Sequence, residues 1–206
     1  MNSYYKKLSS LAGTNAIGIH TIEGIILVIE KGVDTLLDIP CNSHEVWEID
    51  KQLMCVVSGP NNQIPDINRF IHFIREKTDS VLDLVKYISE YIKINTQHLS
   101  IIMASKNSTG TLGLWHINRG ASFRLICYTA IGPKEKEAKA YMMKHYKLNL
   151  NFKNGMKLAF RTMIHIIGWE KFKSFNIDFA RITNTGNVYI NTYADNERYI
   201  REFMGA

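Results

Sequence analysis

The spacing of apolar positions along this chain changes period several times, and each change predicts an element. Residues 15–20 (NAIGIH) alternate and predict a strand, while residues 25–29 (IILVI) form an unbroken apolar run of strand length, expected to be covered on both faces. Gly24 marks the turn between them. Residues 46–49 and 53–58 predict a second strand pair, stopped by Gly59 and Pro60. Pro65 and Asp66 lead into a helix on which Ile67, Phe70, Ile71 and Ile74 recur at helical spacing. Val81, Leu82, Val85, Ile88, Tyr91 and Ile92 mark a second helix. Residues 99–104, 112–117 and 121–127 predict three further strands, joined by a loop over 105–110 and a tight turn at 118–120. Gly132 and Pro133 open a helix over 134–146, with proline near the first helical position where it is favoured. Met156, Ala159, Phe160, Met163 and Ile167 mark another helix, ended at Gly168. Residues 177–183 and 187–191 form a hairpin around Thr185 and Gly186, and 195–204 close the chain as a helix. Helices in pairs between groups of antiparallel strands suit an α/β (α+β) fold: a four-layer α-β-β-α sandwich of two antiparallel sheets flanked by helices. No internal repeat, low-complexity segment or linker divides the chain, so residues 1–206 are expected to form one domain.

Composition narrows the class. A chain of 206 residues, 46% hydrophobic and 21% charged, suits one packed domain and argues against disorder. The start, MNSYYKKLSS, lacks the apolar core of a secretory signal, and no apolar run approaches the roughly 20 residues that span a bilayer. Cys41, Cys55 and Cys127 are scattered and odd in number. They read as reduced thiols of a cytosolic or nuclear protein, with Cys55 and Cys127 expected in the core. The net charge of +6 permits nucleic-acid binding without arguing for it. The densest basic segment, residues 134–147, interleaves Glu135 and Glu137 with its lysines, as a solvated helix face does. Trp47, Trp115 and Trp169 are too dispersed to stack bases. The seven histidines show no ligand spacing, and there is no CxxC, GxSxG or phosphate-binding glycine loop. No cofactor, metal, nucleic acid or membrane is expected as a partner.

Residues 13–66, beginning GTNAIGIHTIEGIILVIEKG, resemble the opening of a proteasome subunit. An alternating strand, a Glu-Gly turn, a second apolar strand ending in Glu30-Lys31, an irregular link, EVWEID, a third apolar strand and a Ser-Gly turn follow in that family's order. The resemblance continues to the C-terminus. Residues 130–138 (AIGPKEKEA) are similar to a turn and helix start of alpha-type subunits of the alpha-1 class. So are Thr96-Gln97 before the central strand, residues 162–172, 177–189, and Glu197-Arg198 at the last helix. The sequence is therefore identified as an alpha-type member, most similar to the alpha-1 class.

The resemblance frames two functions, because the family includes threonine peptidases as well as structural subunits. A peptidase of this fold frees a threonine as its new N-terminus, and the freed amine then serves as base. Gly13-Thr14 supplies such a junction. The family pattern places the orienting carboxylate at Glu30, and places Glu45 where catalytic members have a lysine. Like charges around a nucleophile that must become negative repel by roughly several kcal/mol, and about 1.4 kcal/mol is already a tenfold change in rate. The expected function is therefore a non-catalytic alpha subunit, with no catalytic residue. The alternative is a self-processed peptidase using Thr14, with Glu30 as orienter. A weaker third option, a basic nucleic-acid module, predicts affinity that falls steeply with salt.

An alpha-type subunit implies six other alpha-type partners in a heteroheptameric ring, beta-type subunits in the adjacent ring, and activator C-termini docking between subunits, in cytoplasm and nucleus. Carried onto this chain, Glu45, Ser58 and Gly59 line the activator pocket. Pro60, Arg69 and Phe73 belong to a ring-interface face over residues 60–77. The sequence departs from the family in front of the first strand, where only MNSYYKKLSSLA stands in place of the usual helix and gate tail, Tyr5 being a remnant of the family's VEYA motif. The link between the first two helices is short, at residues 77–80, and Gln97-His98-Leu99-Ser100 replaces an RPxG-like segment. Glu45 would repel an incoming carboxylate where many alpha subunits place a lysine.

Overall fold

The structure, a computed structural model, describes residues 13–31, 33–34, 39–40, 46–60, 63–95, 98–174 and 176–204. Its strands are β1 (Ala16–His20), β2 (Gly24–Glu30), β3 (Val33–Asp34), β4 (Ile39–Pro40), β5 (Val46–Asp50), β6 (Leu53–Ser58), β7 (Ser100–Lys106), β8 (Leu112–Ile117), β9 (Phe123–Leu125), β10 (Tyr128–Ile131), β11 (Ile177–Thr183) and β12 (Val188–Ile190). Its helices are α1 (Ile64–Arg75), α2 (Val81–Asn95), α3 (Glu135–His145), α4 (Phe152–Ile167) and α5 (Tyr193–Met204). One five-stranded sheet runs β10-β1-β2-β11-β12 and the other β5-β6-β7-β8-β9, with β3 and β4 as a separate two-stranded ribbon. Every pairing is antiparallel.

Three apolar layers hold the four structural ones together. Ile17, Ile19, Ile26, Val28 and Phe179 pack against Met156, Phe160 and Met163 of α4, with α3 and α5 on the same side. Ile25, Leu27 and Ile29 point the other way, into the space between the sheets, where they meet Met54, Val56, Ile102 and Leu114. Cys55, Val57, Ile101 and Met103 face outward from the second sheet onto Ile67 and Ile71 of α1 and Leu84, Ile88 and Ile92 of α2. Full burial of each such side chain stabilises by about 1.5–3 kcal/mol, so the α-β-β-α order follows from strands that are apolar on both faces.

Two contacts set how closely these layers approach. Thr21 closes the β1–β2 turn: its hydroxyl donates to the Gly24 carbonyl at 2.7 Å and accepts from the Gly24 amide at 3.0 Å. Gly155 of α4 sits directly on that threonine, and a Cβ there would lie 2.4 Å from Thr21 Cγ2. The helix can therefore lie this close to the turn only because residue 155 lacks a side chain. Gly18 of β1 plays a similar part between the sheets, where a Cβ would come 3.0–3.2 Å from Leu114, Ile102 and Leu27.

The expected strand over residues 121–127 is two strands. β9 pairs with β8, whereas β10 crosses to the other sheet and pairs with β1. The crossing occurs at residues 126–127: the Ile126 amide still donates to Leu114, while the Cys127 carbonyl already accepts from His20. An apolar run gives no sign of a change of sheet. The same step exposes Cys127, against the core position expected for it, while Cys55 is buried as expected. Leu82, assigned to the apolar stripe of its helix, is exposed as well. The ribbon of β3 and β4 was expected to be irregular. Cys41 and the link residues 41–45 lie outside the described residues.

His116 is an unusual occupant of the inter-sheet side. It is 4% exposed and its Nε2 has no hydrogen-bond partner among the described residues. Burial lowers its pKa to about 4, with the Lys139 charge acting in the same direction, Glu135 opposing and Arg124 reinforcing.

Two outcomes follow. Gly155→Ala should destabilise the fold by about 1–3 kcal/mol despite alanine's better helix propensity. Gly155→Ala combined with Thr21→Ser should recover most of that in urea unfolding, because serine keeps the hydroxyl and removes Cγ2. Because the unfolded chain binds the His116 proton more readily than the folded one, stability should fall as pH drops from about 6.5 to about 4. The full loss attributable to this group is about 3 kcal/mol. Thermal melts of His116→Leu should be less sensitive to pH across that window than those of the unaltered chain.

Candidate functional site

The residues singled out for peptidase chemistry converge where β1 begins and β2 ends. Antiparallel register sets Ala16 opposite Ile29, and the pairing continues outward, since the Glu30 amide donates to the Asn15 carbonyl at 2.9 Å. Just before β1 the chain is tightly enclosed. Gly13 has φ of +69°, and a Cβ there would lie 2.4 Å from both the Gly59 nitrogen and Ser58 Oγ. On the other side Gly132, with φ of +106°, leaves room for the Thr14 carbonyl, which a Cβ would approach to 2.5 Å. Both positions require glycine for conformation and for space.

The charges at this end are engaged in structural pairs. Asn15 is buried and links three elements: its Nδ2 donates to Glu30 Oε2 at 2.7 Å, and its Oδ1 accepts from the Lys134 amide at 2.8 Å, where α3 begins. Lys31 turns to Asp178 of β11, with Nζ 3.1 Å from Oδ1, and that carboxylate is 2% exposed. Glu30 and Lys31, adjacent where the strand ends, thus find separate partners, Glu30 with Asn15 and Lys31 with Asp178. Successive side chains on a strand point to opposite faces, so neighbours in sequence find separate partners. Asn15 and Asp178 were missed in the sequence. Asp178 did carry a signal, being the one acidic residue in the apolar strand IDFARIT.

Thr14 is half-buried, its backbone nitrogen is acylated by Gly13, and its hydroxyl has no hydrogen-bond partner among the described residues. Glu45 and His44 lie outside the described residues. Ser58 and Gly59 are brought together with Gly13, but in the single chain they are buried, Gly59 against Leu99 and the His98 carbonyl. The Ser58 hydroxyl and that of Ser100, its β7 partner, are buried and have no hydrogen-bond partner among the described residues.

The remaining expected site residues lie on or near α1. Pro60 is buried at the end of β6. Arg69 is exposed, 3.9 Å from Asp66, and Phe73 is exposed with Lys77 Nζ 5.3 Å from its ring centre. The buried side of the same helix carries Ile67 and Ile71, so Arg69 and Phe73 stand on its free face.

The family model described as "Proteasome subunit" matches residues 11–182. The chain is 22% identical to proteasome subunit alpha type-5 of Drosophila melanogaster, over 92% of this chain and 85% of that protein. It is 23% identical to proteasome subunit alpha type-2 of Dictyostelium discoideum, over 93% and 88% respectively. It is 25% identical to a proteasome subunit alpha of Aeropyrum pernix, over 75% and 66%. These relatives are alpha-type, and they lend no support to the alpha-1 class expected from residues 130–138.

The Lys31–Asp178 pair gives a direct test of this end of the molecule. Lys31→Met removes one partner of a buried carboxylate and should destabilise the fold, read as a lowered urea midpoint.

Proposed function

The chain belongs to the proteasome subunit family, and from that premise we propose that it is a non-catalytic alpha-type subunit of the 20S core particle. It takes one place in an outer ring with six other alpha-type chains, stacks on a beta-type ring, and shares in gating the entry of protein substrates in cytoplasm and nucleus. The observation that carries this reading is the alpha-type character of relatives that match more than nine-tenths of the chain.

The site geometry supports it. An N-terminal threonine peptidase needs its amine free to act as base. Here Gly13 lies against the end of β6 and the Thr14 carbonyl against Gly132 in the turn before α3, so the bond joining the two residues is built into the packing. The nearby carboxylate and ammonium are committed to Asn15 and Asp178. In this reading Arg69 and Phe73 meet a neighbouring subunit from the free face of α1. An activator C-terminus docks near the Glu45 segment and the Ser58–Gly59 turn, which becomes a wall between subunits.

Native mass spectrometry of the protein purified from its own cells tests the reading. The expected result is a chain that retains residues 1–13 inside a complex with six related alpha-type chains. A chain beginning at Thr14 and labelled by an electrophilic peptide inhibitor would overturn it. Phe73→Asp should lower incorporation into the complex by about tenfold, as expected for a buried aromatic anchor. The melting temperature of the isolated chain should change little, because Phe73 is exposed on the free face of α1 and Lys77, which lies over its ring, can pair with the aspartate instead.

A further inference from the structure

At the opposite end of the β1–β2 hairpin, Arg181 occupies an environment the peptidase-like end does not explain. It lies half-buried on β11, and its guanidinium carbon stands 5.0 Å from the ring centre of Tyr189 and 5.7 Å from those of Phe152 and Tyr199. Nη1 donates to the Tyr199 hydroxyl at 2.6 Å. Among the described residues no carboxylate lies within 4.0 Å of it. The nearby acids are committed elsewhere. Glu23 accepts from the Phe152 amide at the start of α4. Asp195 accepts from Tyr189 and Thr192 and pairs with Arg198 at 3.0 Å. A guanidinium fork presents five N–H donors, and among the described residues one of these finds a hydrogen-bond partner.

The guanidinium borders a cavity of about 440 Å³, lined by Glu23, Phe152, Arg181, Thr183, Asn184 and Thr185. Its walls are fixed. The Asn184 amide donates to the Glu23 carbonyl at 3.2 Å and its Nδ2 to the Ile22 carbonyl at 2.9 Å, and Thr183 Oγ1 holds the Gly186 amide at 2.9 Å. The three rings hold the fork flat and limit its hydration, which favours a planar, bidentate partner over a diffuse one. The Phe152 ring offers an apolar surface for a short aliphatic stem, and the hydroxyls and amide of the β11–β12 turn form a polar rim.

We propose that this cavity receives an aspartate or glutamate side chain from a neighbouring protein chain, whose carboxylate takes up the free edge of Arg181 while its stem lies on Phe152. Charge complementarity selects this occupant. The chain is basic overall, at +6. Among the described residues Arg181 has no carboxylate within 4.0 Å, and Glu23, the other charge lining the cavity, is held at a helix N-terminus and disfavours a more highly charged anion reaching the same space. The proposal rests on the reading of the chain as one subunit of a larger assembly.

Photo-crosslinking tests it in the intact assembly, with p-benzoylphenylalanine replacing Thr185 at the rim and native mass spectrometry scoring assembly in parallel. The expected result is a crosslink to another chain at a peptide carrying Asp or Glu beside the linked residue. Its yield should fall at least fivefold in an Arg181→Met background and largely survive in Arg181→Lys. An assembled complex with no crosslink, or with one to a peptide lacking an acidic residue, overturns the pocket and leaves the subunit reading standing. A chain that runs alone overturns the subunit reading, and the partner with it. If Arg181→Met fails to enter the complex, the peptide reached from the unaltered Arg181 chain decides the matter.

Discussion

A central strand that is apolar on both faces has to be covered twice, and most of this architecture follows from that requirement on β2. Ile26 and Val28 point to α4, while Ile25, Leu27 and Ile29 point to the second sheet. A strand with one polar face would be satisfied by a single covering layer. Here the second sheet fills the other side, and because its own strands are also double-faced it needs α1 and α2 outside it. The close approach of these layers then falls to a few positions without side chains, Gly18 between the sheets and Gly155 beneath α4. A side chain at either point would force its neighbours to shift, by a few tenths of an ångström at Gly18 and by more at Gly155, against the close packing of the layers.

The same register that builds the sheet decides which charges can meet. Glu30 and Lys31 are adjacent in sequence, but alternation sends them to different neighbours, Asn15 and Asp178. Asn15 then fixes the start of α3 through the Lys134 amide. The end of the sandwich where peptidase chemistry would sit is therefore held by a polar network spanning β1, β2, β11 and α3. In such a network Glu30, Lys31, Asn15 and Asp178 each serve a structural contact. Structural and catalytic versions of one fold can differ by this reassignment of a few side chains without any change in the strands.

Much of the fold was legible in the sequence because it depends on period. The strand pairs, the helices of residues 64–95 and 152–167, and the hairpin about Thr185 and Gly186 all follow from spacing and turn residues. What stayed hidden depends on which elements meet. The passage of residues 123–131 from one sheet to the other leaves no trace in a continuous apolar run, and that passage is why Cys127 is exposed. At the site, Thr14 and Glu30 were legible from order alone. Asn15 and Asp178 were not, since their partners are 119 and 147 residues away in the chain. Ser58 and Gly59 were placed at a surface pocket by resemblance, and in the single chain they lie under Gly13 and beside Leu99.

Identity of 22–25% to alpha-type relatives over most of the chain fits this division. A core specified by pattern accepts exchange among Ile, Leu, Val and Met when volume and periodicity are kept, so the layers persist while the residues change. The glycines that admit a neighbouring backbone or a pinned side chain have no such freedom, because a methyl at Gly13 or Gly132 would occupy space already filled by main chain. Surface positions obey a third rule. Phe73 is exposed on the free face of α1, and what such a position becomes depends on the chain beside it. Within one shared fold, then, drift is limited by volume in the layers, by backbone clearance at the glycines, and by partner identity at the surface, and the third of these is where one member of the family becomes distinct from the next.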